Sequence, residues 1–516
     1  MRVLIFHGYL LRGTGSNVYN ASLARALVDL GHEVHLFCQD REARALPWVD
    51  AVGSWDSGTL AVEVLREPVR CTVYRPPIGR VLPVYVADRY EGFDAKPFED
   101  LTDAELDAYL GANVRAVQDA ADRAAPDAAL ANHLVMGPAV LARAGLRYAV
   151  KIHGSALEYT VKRNPDRFLP YAREGLAGAA GVLVGSRHTA ESLWDAMADP
   201  ELPARTRLGP PGVDVHAFRP RPPDEATARL RALADRLERQ PAADWGGDAG
   251  AAAALRRLDP AQDRLVSYVG KLIVSKGVDL LLAAWPLVVA QVPEARLVVV
   301  GFGEFRPGLE SLVDALARAD LEAAREIARR GRALEGGQES ELTHLAAFID
   351  GLEGQDRKRW LATAPEAAAR VHFTGRLEHA DLPELLPGCE AQVVPSTFPE
   401  AFGMVAVEAA ACGALPLSAA HSGLAEVTRA LKEAVEPELA PLLEFARGPG
   451  AVEEIAAKLV RWLTLEPGRR AGARASLSEL ARARYGWESV AEGVIAASRG
   501  ELDGLPRPAV PPSEPV

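Results

Sequence analysis

The feature that most restricts the fold of this chain is a repeated alternation of short apolar runs with longer helical patterns. The run RVLIF at residues 2–6 is followed by NVYNASLARALVDLG at 17–31, which has helical periodicity and ends at a glycine. Further apolar runs of the same kind are DAALAN, YAVKIHG and AGVLVGS. Strands that alternate with helices in this way form parallel sheets covered by helices. The pattern therefore predicts the α/β fold class.

The alternation occurs in two series. The second series begins with RLVSYVGKL at 264–272 and continues through ARLVVVGFG, VHFTGR, EAQVVPS and ALPLSAA. A chain of 516 residues is long enough for more than one domain. We therefore predict two doubly wound, Rossmann-like domains, at residues 1–218 and 263–484.

Three segments depart from the alternation. Residues 219–262 begin with the Pro-rich RPRPPDE and read as a linker elaborated with a helix. Residues 317–370 are rich in charge and alanine, which suggests an exposed helical insertion within the second domain. Residues 501–516 are Pro-rich, so we expect a disordered tail.

Composition excludes several classes of protein. The net charge of −12 disfavours general nucleic-acid binding. The 4 cysteines form no paired motif, which argues against a disulfide framework or zinc site and favours a reducing cytoplasm. MRVLIFHG turns polar too soon for a signal peptide, and no run of 18 apolar residues could span a membrane. These observations do not exclude peripheral contact with a membrane surface.

The first strand is followed by a turn that contains two glycines. In HGYLLRGTGSNVYN, Gly13 and Gly15 allow close backbone approach at a helix N-terminus, which is a natural anion site. A dinucleotide fingerprint would need a third glycine where Val18 stands, although Asp40 could serve as its ribose-binding acid. The turn therefore matches an NAD-binding fingerprint only in part. A tight turn with a purely structural role is a further alternative to an anion site.

Two lysines follow the first strand of the second series. In SYVGKLIVSKGVDLLL, Lys271 and Lys276 lie between this strand and the next helix. Ligands bind at this carboxyl edge of a parallel sheet, and two ammonium groups there suit a diphosphate. The alternative is a pair of solvated lysines. Their position at a helix N-terminus weakens that alternative, because positive charge there opposes the helix dipole.

Other strand ends carry weaker signals. His153 ends a strand in IHGSALEY and would face the same kind of crevice as the lysines. Gly301 and Gly303 follow a strand in VVVGFGEF, but many strand-to-helix turns contain glycine. The sequence contains no Asp-x-Asp motif, so a metal ion bridging a diphosphate has no evident ligands.

The stretch PEAFGMVAVEAAACGALP at 399–416 carries two glutamates eight positions apart. We predict a helix over Met404–Cys412 that ends at Gly413, with Glu400 in the preceding loop and Glu408 inside the helix. Eight helical positions span roughly 12 Å at ~1.5 Å per residue. Two carboxylates that flank one glycosidic bond lie about 5 to 9.5 Å apart, so two roles on one extended ligand fit better. A solvated helix face is the alternative for Glu408.

Taken together, these segments resemble glycosyltransferase family 4, whose members have the GT-B fold. The resemblance is carried, in the family's order, by GTGSNVYNASLARALVDLGHEV, KIHG, PPGVDVHAF, YVGKLIVSKGVDLLL, LVVVGFGE, VHFTGRL, PSTFPEAFGMVAVEAAACGALP and YGWESV. It implies two domains facing a central cleft, with a helix at 485–500 crossing back to the first domain. Departures are Lys271 in place of the usual Arg, Gly-Thr-Gly in the first loop and the long insertion.

The resemblance also implies roles for the residues of the glutamate segment. Glu408 would bind the ribose hydroxyls of a nucleotide, and Glu400 would face the donor sugar as a catalytic residue. The backbone N–H groups around Gly403, Met404 and Val405 would bind phosphate at the helix N-terminus.

The remaining donor-binding residues follow from the same resemblance. Lys271 and Lys276 would neutralise the diphosphate leaving group. Arg376 and Leu377 lie where the family places the nucleobase. Gly15 would let the first loop approach the diphosphate.

The implied activity is transfer of a hexosyl-type sugar from a nucleotide diphosphate sugar to a hydroxyl acceptor, with retention of configuration and without a cofactor or metal. His153 would position the donor sugar or steady charge near C1. The basic VKRNPDRF at 161–168 could meet a sugar phosphate or a lipid-linked headgroup, or be a solvated loop. The alternatives are an NAD-dependent Rossmann enzyme and a nucleotide-binding protein without activity. We expect the protein to be cytoplasmic, with peripheral membrane contact left open.

Overall fold

The computed structural model describes residues 1–12, 15–85, 93–239 and 248–508. It divides the chain into two compact units, and the first consists of Met1–Gly212 with Tyr485–Val516. The second unit is Val213–Arg484. Both are α/β units with mainly parallel sheets, which confirms the predicted fold class.

The first unit contains the elements β1 (Arg2–Phe6), α1 (Gly15–Asp29), β2 (Glu33–Phe37), β3 (Ala51–Asp56), β4 (Thr59–Val64), β5 (Cys71–Tyr74), β6 (Val81–Val84), β7 (Asp94–Pro97), α2 (Asp103–Ala124), β8 (Ala128–Asn132), α3 (Gly137–Arg143), β9 (Tyr148–Ile152), α4 (Pro165–Ala177), β10 (Ala179–Val184), α5 (Arg187–Met197), α6 (Leu202–Arg205) and β11 (Thr206–Leu208).

The main sheet of this unit has the strand order β11-β10-β9-β8-β1-β2-β5-β3-β4. Its neighbours pair in parallel except for the hairpin of β3 and β4. Buried apolar side chains form a core on each face of the sheet, as expected where helices cover both sides. Because the strands are parallel, the residues after β1, β8 and β9 reach the same carboxyl edge, and these residues are His7, His133 and His153.

The second unit contains the elements α7 (Pro223–Arg239), α8 (Ala251–Arg256), β12 (Arg264–Val269), α9 (Val278–Val289), β13 (Ala295–Val300), α10 (Arg306–Ala317), α11 (Leu321–Arg330), α12 (Thr343–Gly351), α13 (Gly354–Ala369), β14 (Val371–Gly375), α14 (Leu382–Leu385), β15 (Cys389–Val394), α15 (Met404–Ala411), β16 (Leu415–Ala419), α16 (Ser422–Lys432), β17 (Glu444–Phe445), α17 (Ala451–Leu463) and α18 (Pro467–Tyr485).

Its parallel sheet has the order β14-β13-β12-β15-β16-β17. The chain builds outward from β12 to β14, and then returns to build from β15 to β17 on the other side. The strand order therefore reverses between β12 and β15, and such a switch point is where open α/β sheets bind ligands. The loops that carry Lys271, Lys276 and Glu400 follow these two strands.

Two glycines allow the loops at this switch point to touch one another. A Cβ on Gly301, after β13, would lie 1.8 Å from the carbonyl oxygen of Gly270. Gly277 has φ +65°, and its Cβ would lie 2.1 Å from the carbonyl oxygen of Pro395. Any side chain at these positions would therefore push apart the loops that follow β12, β13 and β15.

The chain returns to the first unit through α19 (Trp487–Ser498). Trp487 is 8% exposed and lies edge-on to the Tyr19 ring, with the ring centroids 5.4 Å apart. A Cβ on Gly212 would lie 2.6 Å from the Trp487 ring, so the indole packs directly on backbone. The predicted return helix is confirmed, with Trp487 as a buried anchor.

The segment predicted as a linker at 219–262 is part of the second unit. Leu230 and Leu233 of α7 are buried. Arg229 forms an ion pair with Glu384 at 3.3 Å across the contact between α7 and α14. The prediction of a linker was wrong. It relied on the Pro-rich start of the segment, but the residues that follow form an amphipathic helix that packs on this unit.

The helical content predicted at 317–370 is present as α11, α12 and α13, but the segment is not simply exposed. Trp360 of α13 is 2% exposed, and its indole N–H donates to the Ala283 carbonyl oxygen of α9 at 2.9 Å. Ala364 is also buried. The spacing of these two residues places one face of α13 against α9, while the charged face remains outside.

Part of the predicted disordered tail is ordered. The backbone N–H of Leu208 donates to the Pro506 carbonyl oxygen at 2.7 Å. Arg207 Nε donates to the Leu502 carbonyl oxygen at 2.8 Å. Residues 501–508 therefore attach to β11, and the rest of the predicted tail lies outside the described residues.

Over the described ranges, we find no helix that combines the length and the apolar character needed to cross a membrane.

Candidate functional site

The lysine loop and the glutamate loop meet at the switch point of the second unit. Lys276 Nζ forms an ion pair with Glu400 Oε1, and both side chains remain partly exposed. Ser396 Oγ donates a second hydrogen bond to the same Glu400 oxygen at 2.6 Å. The structure thus brings together two residues that the sequence separates by 124 positions.

The backbone of Glu400 is fixed by the start of α16. Its N–H donates to Ser422 Oγ at 2.8 Å, and its carbonyl oxygen accepts from the Gly423 N–H at 2.9 Å. A Cβ on Gly423 would lie 2.6 Å from the Ala401 carbonyl oxygen. This close approach leaves the Glu400 loop little room to shift, so its carboxylate position is set by tertiary contacts.

Glu408 is 2% exposed, which excludes a solvated helix face for this residue. Its Oε1 lies 2.7 Å from His379 Nε2. Burial acts to lower the pKa of His379, but the charge of Glu408 and the hydrogen bond outweigh it and raise the pKa above its ordinary value. The buried Glu408 carboxylate therefore already has one charge-assisted hydrogen bond, and its partner, the His379 imidazole, is only partly buried.

The N-terminus of α15 lies between the two glutamates in the sequence. Within the described chain no side chain caps this helix, so the N–H groups that begin at Met404 and Val405 can bind an anion. Gln392 Nε2 donates to the Val405 carbonyl oxygen at 2.6 Å, which fixes the first turn against β15. A Cβ on Gly403 would lie 2.7 Å from a Leu424 methyl group, so the helix entry also packs closely on α16.

Arg376 and Leu377 follow β14 at the same carboxyl edge. Arg376 forms an ion pair with Glu378, and Leu377 is 7% exposed. His379 lies two positions beyond Leu377 and contacts Glu408, so this loop lies next to α15. The predicted nucleobase and ribose residues are therefore close in space.

Lys271 lies two positions after the end of β12, and its carbonyl oxygen accepts from the Tyr268 hydroxyl at 2.8 Å. This hydrogen bond fixes the backbone at the start of the lysine loop.

In the first unit, a chain of hydrogen bonds orients His153. Asn132 Nδ2 donates to the Phe6 carbonyl oxygen at 3.1 Å, which turns Asn132 Oδ1 toward His153. This oxygen lies 2.7 Å from His153 Nε2, so Nε2 must carry the proton. Burial, followed by the charges of His133, Lys151 and His7, lowers the pKa of His153 well below its ordinary value. His153 is therefore a neutral imidazole whose Nδ1 can accept a hydrogen bond.

A buried lysine lies in β9, two positions before His153. Lys151 is 2% exposed, and its Nζ donates to the Gly209 carbonyl oxygen at 2.5 Å and lies 5.5 Å from the Tyr19 ring centroid. Burial lowers the pKa of Lys151 from its ordinary 10.5 to about 7. The lysine therefore gives the first unit a pH-dependent stability.

We expect stability to rise with pH between 7 and 9, because the unfolded chain keeps the Lys151 proton in this window while the folded chain, half-protonated near pH 7, loses it. One pKa unit corresponds to about 1.36 kcal/mol, so the gain is about 2 kcal/mol. Lys151→Met should remove this gain, measured by urea unfolding at pH 7 and pH 9. Lys162→Met, at a partly exposed lysine, is the control. An unchanged pH dependence in Lys151→Met would refute the assignment.

Gly15 begins α1 and is exposed, and a Cβ added there would meet no atom within 4 Å outside its own stretch of chain. The structure therefore leaves open space beside it. The loop before it is anchored by His7 Nε2, which contacts the Leu10 carbonyl oxygen at 2.9 Å and Asn17 Oδ1 at 3.0 Å. Gly13 lies outside the described residues.

The Asp40 carboxylate is already occupied by hydrogen bonds within the protein, so it is not available to bind ribose hydroxyls. Its carboxylate accepts from the backbone N–H groups of Leu11 at 3.1 Å and Glu42 at 2.9 Å. It also pairs with Arg12 at 3.4 Å, and its side chain is 5% exposed. These contacts fix the loops after β1 and β2, and they argue against an NAD site.

Sequence reasoning missed the residues that orient the predicted ones. His379 contacts Glu408. Ser396 and Ser422 both contact Glu400. Asn132 contacts His153. Only Ser396 lies close to the two glutamates along the chain, four positions before Glu400. The others lie at the end of β8, after β14 and at the start of α16, so no local spacing pointed to them.

Two family models match this chain. The model described as Glycosyl transferase 4-like domain matches residues 14–202. The model described as Glycosyl transferases group 1 matches residues 332–482. The first match covers most of the first unit, and the second covers α15 and both glutamates.

Two curated relatives carry the name D-inositol 3-phosphate glycosyltransferase. The protein from Frankia alni is 26% identical over 506 residues, which is 95% of each chain. The protein from Segniliparus rotundus is 29% identical over 303 residues, which is 58% of this chain and 48% of that protein. The chain therefore matches about half the length of the second relative.

Solved structures of glycosyltransferases share the fold. Sucrose-phosphate synthase from Thermosynechococcus elongatus matches with a TM-score of 0.57 at 19% identity, covering 97% of this chain and 99% of that chain. HepE from Anabaena, solved with UDP and glucose, matches with a TM-score of 0.55 at 18% identity, covering 97% and 100%. At these identities the likeness shows the GT-B fold alone.

Proposed function

Because the chain belongs to glycosyltransferase family 4, we propose that it transfers a hexosyl-type sugar from a nucleoside diphosphate sugar to a hydroxyl acceptor. We propose that the anomeric configuration is retained. The observation that carries the proposal is the Lys276–Glu400 ion pair at the switch point, beside a helix N-terminus and the buried Glu408.

The second unit offers a separate group for each part of such a donor. The Glu408 carboxylate suits ribose hydroxyls, which donate hydrogen bonds, and Leu377 offers an apolar contact for the base. The N-terminus of α15 and the two lysines suit the diphosphate. The structure of HepE with UDP and glucose supports a UDP-linked hexose as the first donor to test.

Binding of the diphosphate would redistribute the charges of this site. Lys276 is paired with Glu400 in this structure. A diphosphate competes for the ammonium group, and Glu400 can then accept hydrogen bonds from the sugar hydroxyls. Within the first unit, the unprotonated Nδ1 of His153 can accept a hydrogen bond from a hydroxyl group.

In the proposed reaction, the bond from C1 to the diphosphate oxygen breaks and the bond from C1 to the acceptor oxygen forms on the same face. The acceptor proton passes to the departing diphosphate oxygen, so no protein nucleophile is needed. Lys271, Lys276 and the helix N-terminus stabilise the negative charge that develops on the leaving group.

We further propose an acceptor that carries an anionic group, because two curated relatives are named for D-inositol 3-phosphate. An array of UDP-, GDP- and ADP-linked hexoses against phosphorylated and neutral hydroxyl acceptors, read by mass spectrometry, tests the function. We expect a product one hexose heavier than its acceptor and release of the nucleoside diphosphate. UDP binding without transfer to any acceptor would favour a non-catalytic nucleotide-binding protein.

We expect transfer to proceed without a divalent metal, because the lysines and the α15 N-terminus supply the positive charge. Among the described residues, no cluster of three His, Cys, Asp or Glu side chains could hold a metal ion. The measurement is the initial rate of metal-stripped enzyme with excess EDTA. Complete loss of activity that magnesium or manganese restores would contradict this prediction.

We also propose a reducing, cytoplasmic setting. Cys38, Cys71, Cys389 and Cys412 are all buried and unpaired. Burial raises the pKa of Cys38 and Cys389 to about 12, so these thiols are poorly reactive.

A further inference from the structure

A pocket of about 440 Å³ lies at the carboxyl edge of the first-unit sheet, away from His153. It is lined by residues that follow β2 and β5, by the end of β3 and by Phe93, whose ring lies 4.7 Å from the Arg41 guanidinium carbon. Its volume falls within the range of small-molecule sites, about 300–1,000 Å³. The carboxyl edge of such a sheet is also where α/β proteins bind ligands.

The pocket is cationic. Arg41 and Arg75 both line it. Within the described chain, the Arg75 guanidinium has no ion pair or hydrogen bond. The basic segment at 161–168, predicted to meet an acidic acceptor, differs because most of its cations already form ion pairs. There, Lys162 pairs with Glu158 at 3.0 Å, and Arg167 pairs with Asp103 at 3.0 Å. Arg75 is thus the better-placed cation for an oxyanion.

An aromatic side chain of fixed orientation lies beside Arg75. The Trp55 indole N–H donates to Asp119 Oδ2 at 2.7 Å, and the half-buried ring lines the pocket. Gln39 is 4% exposed and also lines the pocket, with its Nε2 held by the Pro76 carbonyl oxygen at 3.0 Å. An oriented aromatic ring with planar polar side chains suits a sugar ring that bears polar groups.

We propose that this pocket is a distal acceptor subsite that binds a saccharide unit bearing a phosphate or carboxylate group. The inference rests on the proposed transferase function, because the pocket shares its sheet edge with His153. In this subsite, Arg75 binds the oxyanion and Trp55 contacts the sugar ring.

The position of the pocket sets the length of the acceptor. In the sheet order β9-β8-β1-β2-β5, four strand spacings separate the strand before His153 from the strand before Arg75. At about 4.8 Å per spacing, this is about 19 Å. A single sugar ring does not bridge this distance. An acceptor whose reacting hydroxyl lies at His153 and whose anion lies in the pocket is therefore an oligosaccharide or an equally extended molecule.

The test is calorimetric binding to the full chain with three probes: trigalacturonate, glucose 6-phosphate and the neutral trisaccharide maltotriose. We expect at least one anionic probe to bind more tightly than maltotriose, and Arg75→Gln to weaken that binding about tenfold or more. A preference for glucose 6-phosphate identifies phosphate as the bound group, and a preference for trigalacturonate identifies carboxylate.

Arg44→Gln is the matched control, because Arg44 is an exposed arginine near the same loop that pairs with Glu63 at 2.9 Å and does not line the pocket. The proposal is overturned if neither anion binds the wild-type protein, if maltotriose binds equally well, or if both variants behave alike. UDP affinity, measured in the same proteins, should be unchanged by Arg75→Gln. Absence of UDP binding in the wild type would instead count against the proposed function.

Discussion

Glu400→Gln is expected to lower turnover by about 100-fold or more, the loss typical for removal of one transition-state contact in a preorganised site. Affinity for UDP should remain nearly unchanged, because Glu400 addresses the sugar rather than the nucleotide. A fall in kcat with intact nucleotide binding marks a contact made mainly in the transition state. Steady-state rates with the donor found in the array, alongside calorimetry with UDP, measure both quantities.

The structure adds a condition to this prediction. Glu400 pairs with Lys276, so its neutralisation also frees the ammonium group for the diphosphate. We therefore expect UDP to bind Glu400→Gln as well as, or slightly better than, the wild-type protein. Glu433→Gln is a suitable control, since Glu433 is exposed and pairs only with Arg484 among the contacts described for it. Weaker UDP binding in Glu400→Gln, with the fold intact, would place Glu400 on the nucleotide.

Glu408→Gln is expected to weaken both UDP and the intact donor. Loss of a charged hydrogen bond typically costs about 1.5–3 kcal/mol, which is roughly 10- to 150-fold in affinity. The buried position of Glu408 favours the upper part of this range, because little water reaches the carboxylate. Calorimetry with UDP tests this expectation, again with Glu433→Gln as the control.

His379 provides a second readout for the same variant. Glu408 raises the pKa of His379, so the contribution of this pair to stability is complete below the unfolded pKa near 6.5. That contribution is lost as the pH rises through the higher folded pKa. In Glu408→Gln the His379 pKa, followed by NMR, should fall. Normal UDP affinity together with an unchanged His379 pKa would show that Glu408 neither binds ribose nor charges the imidazole.

The two variants together test the division of labour between the glutamates. Equal losses of UDP affinity in Glu400→Gln and Glu408→Gln, with both proteins folded, would refute it.

The sequence by itself determined the features that depend on near neighbours along the chain. The alternation of apolar runs and helical patterns specified α/β units, because a strand or helix buries one face at a fixed period. The helix predicted over Met404–Cys412 is observed as Met404–Ala411, followed by Gly413 at φ +77°. Its end was predictable because glycine adopts this left-handed conformation without a Cβ clash.

The same local reasoning failed where packing decided the outcome. The Pro-rich start of 219–262 indicated a linker, but α7 buries Leu230 and Leu233 on the second unit. The charged composition of 317–370 indicated exposure, but Trp360 packs on α9. In both segments the composition reflects the polar residues on the exposed face of the helix. Which face is buried depends on the element that the helix packs against, and composition does not specify that element.

Only the tertiary structure decided which charges face one another. Lys276 meets Glu400 across 124 positions, and Glu408 meets His379 across 29, because β12, β14 and β15 bring their carboxyl ends to one edge of a sheet. The neutral state of His153 and the lowered pKa of Lys151 likewise arise from burial by distant segments. Strand order and desolvation are properties of the assembled fold, so no spacing along the chain could have specified them.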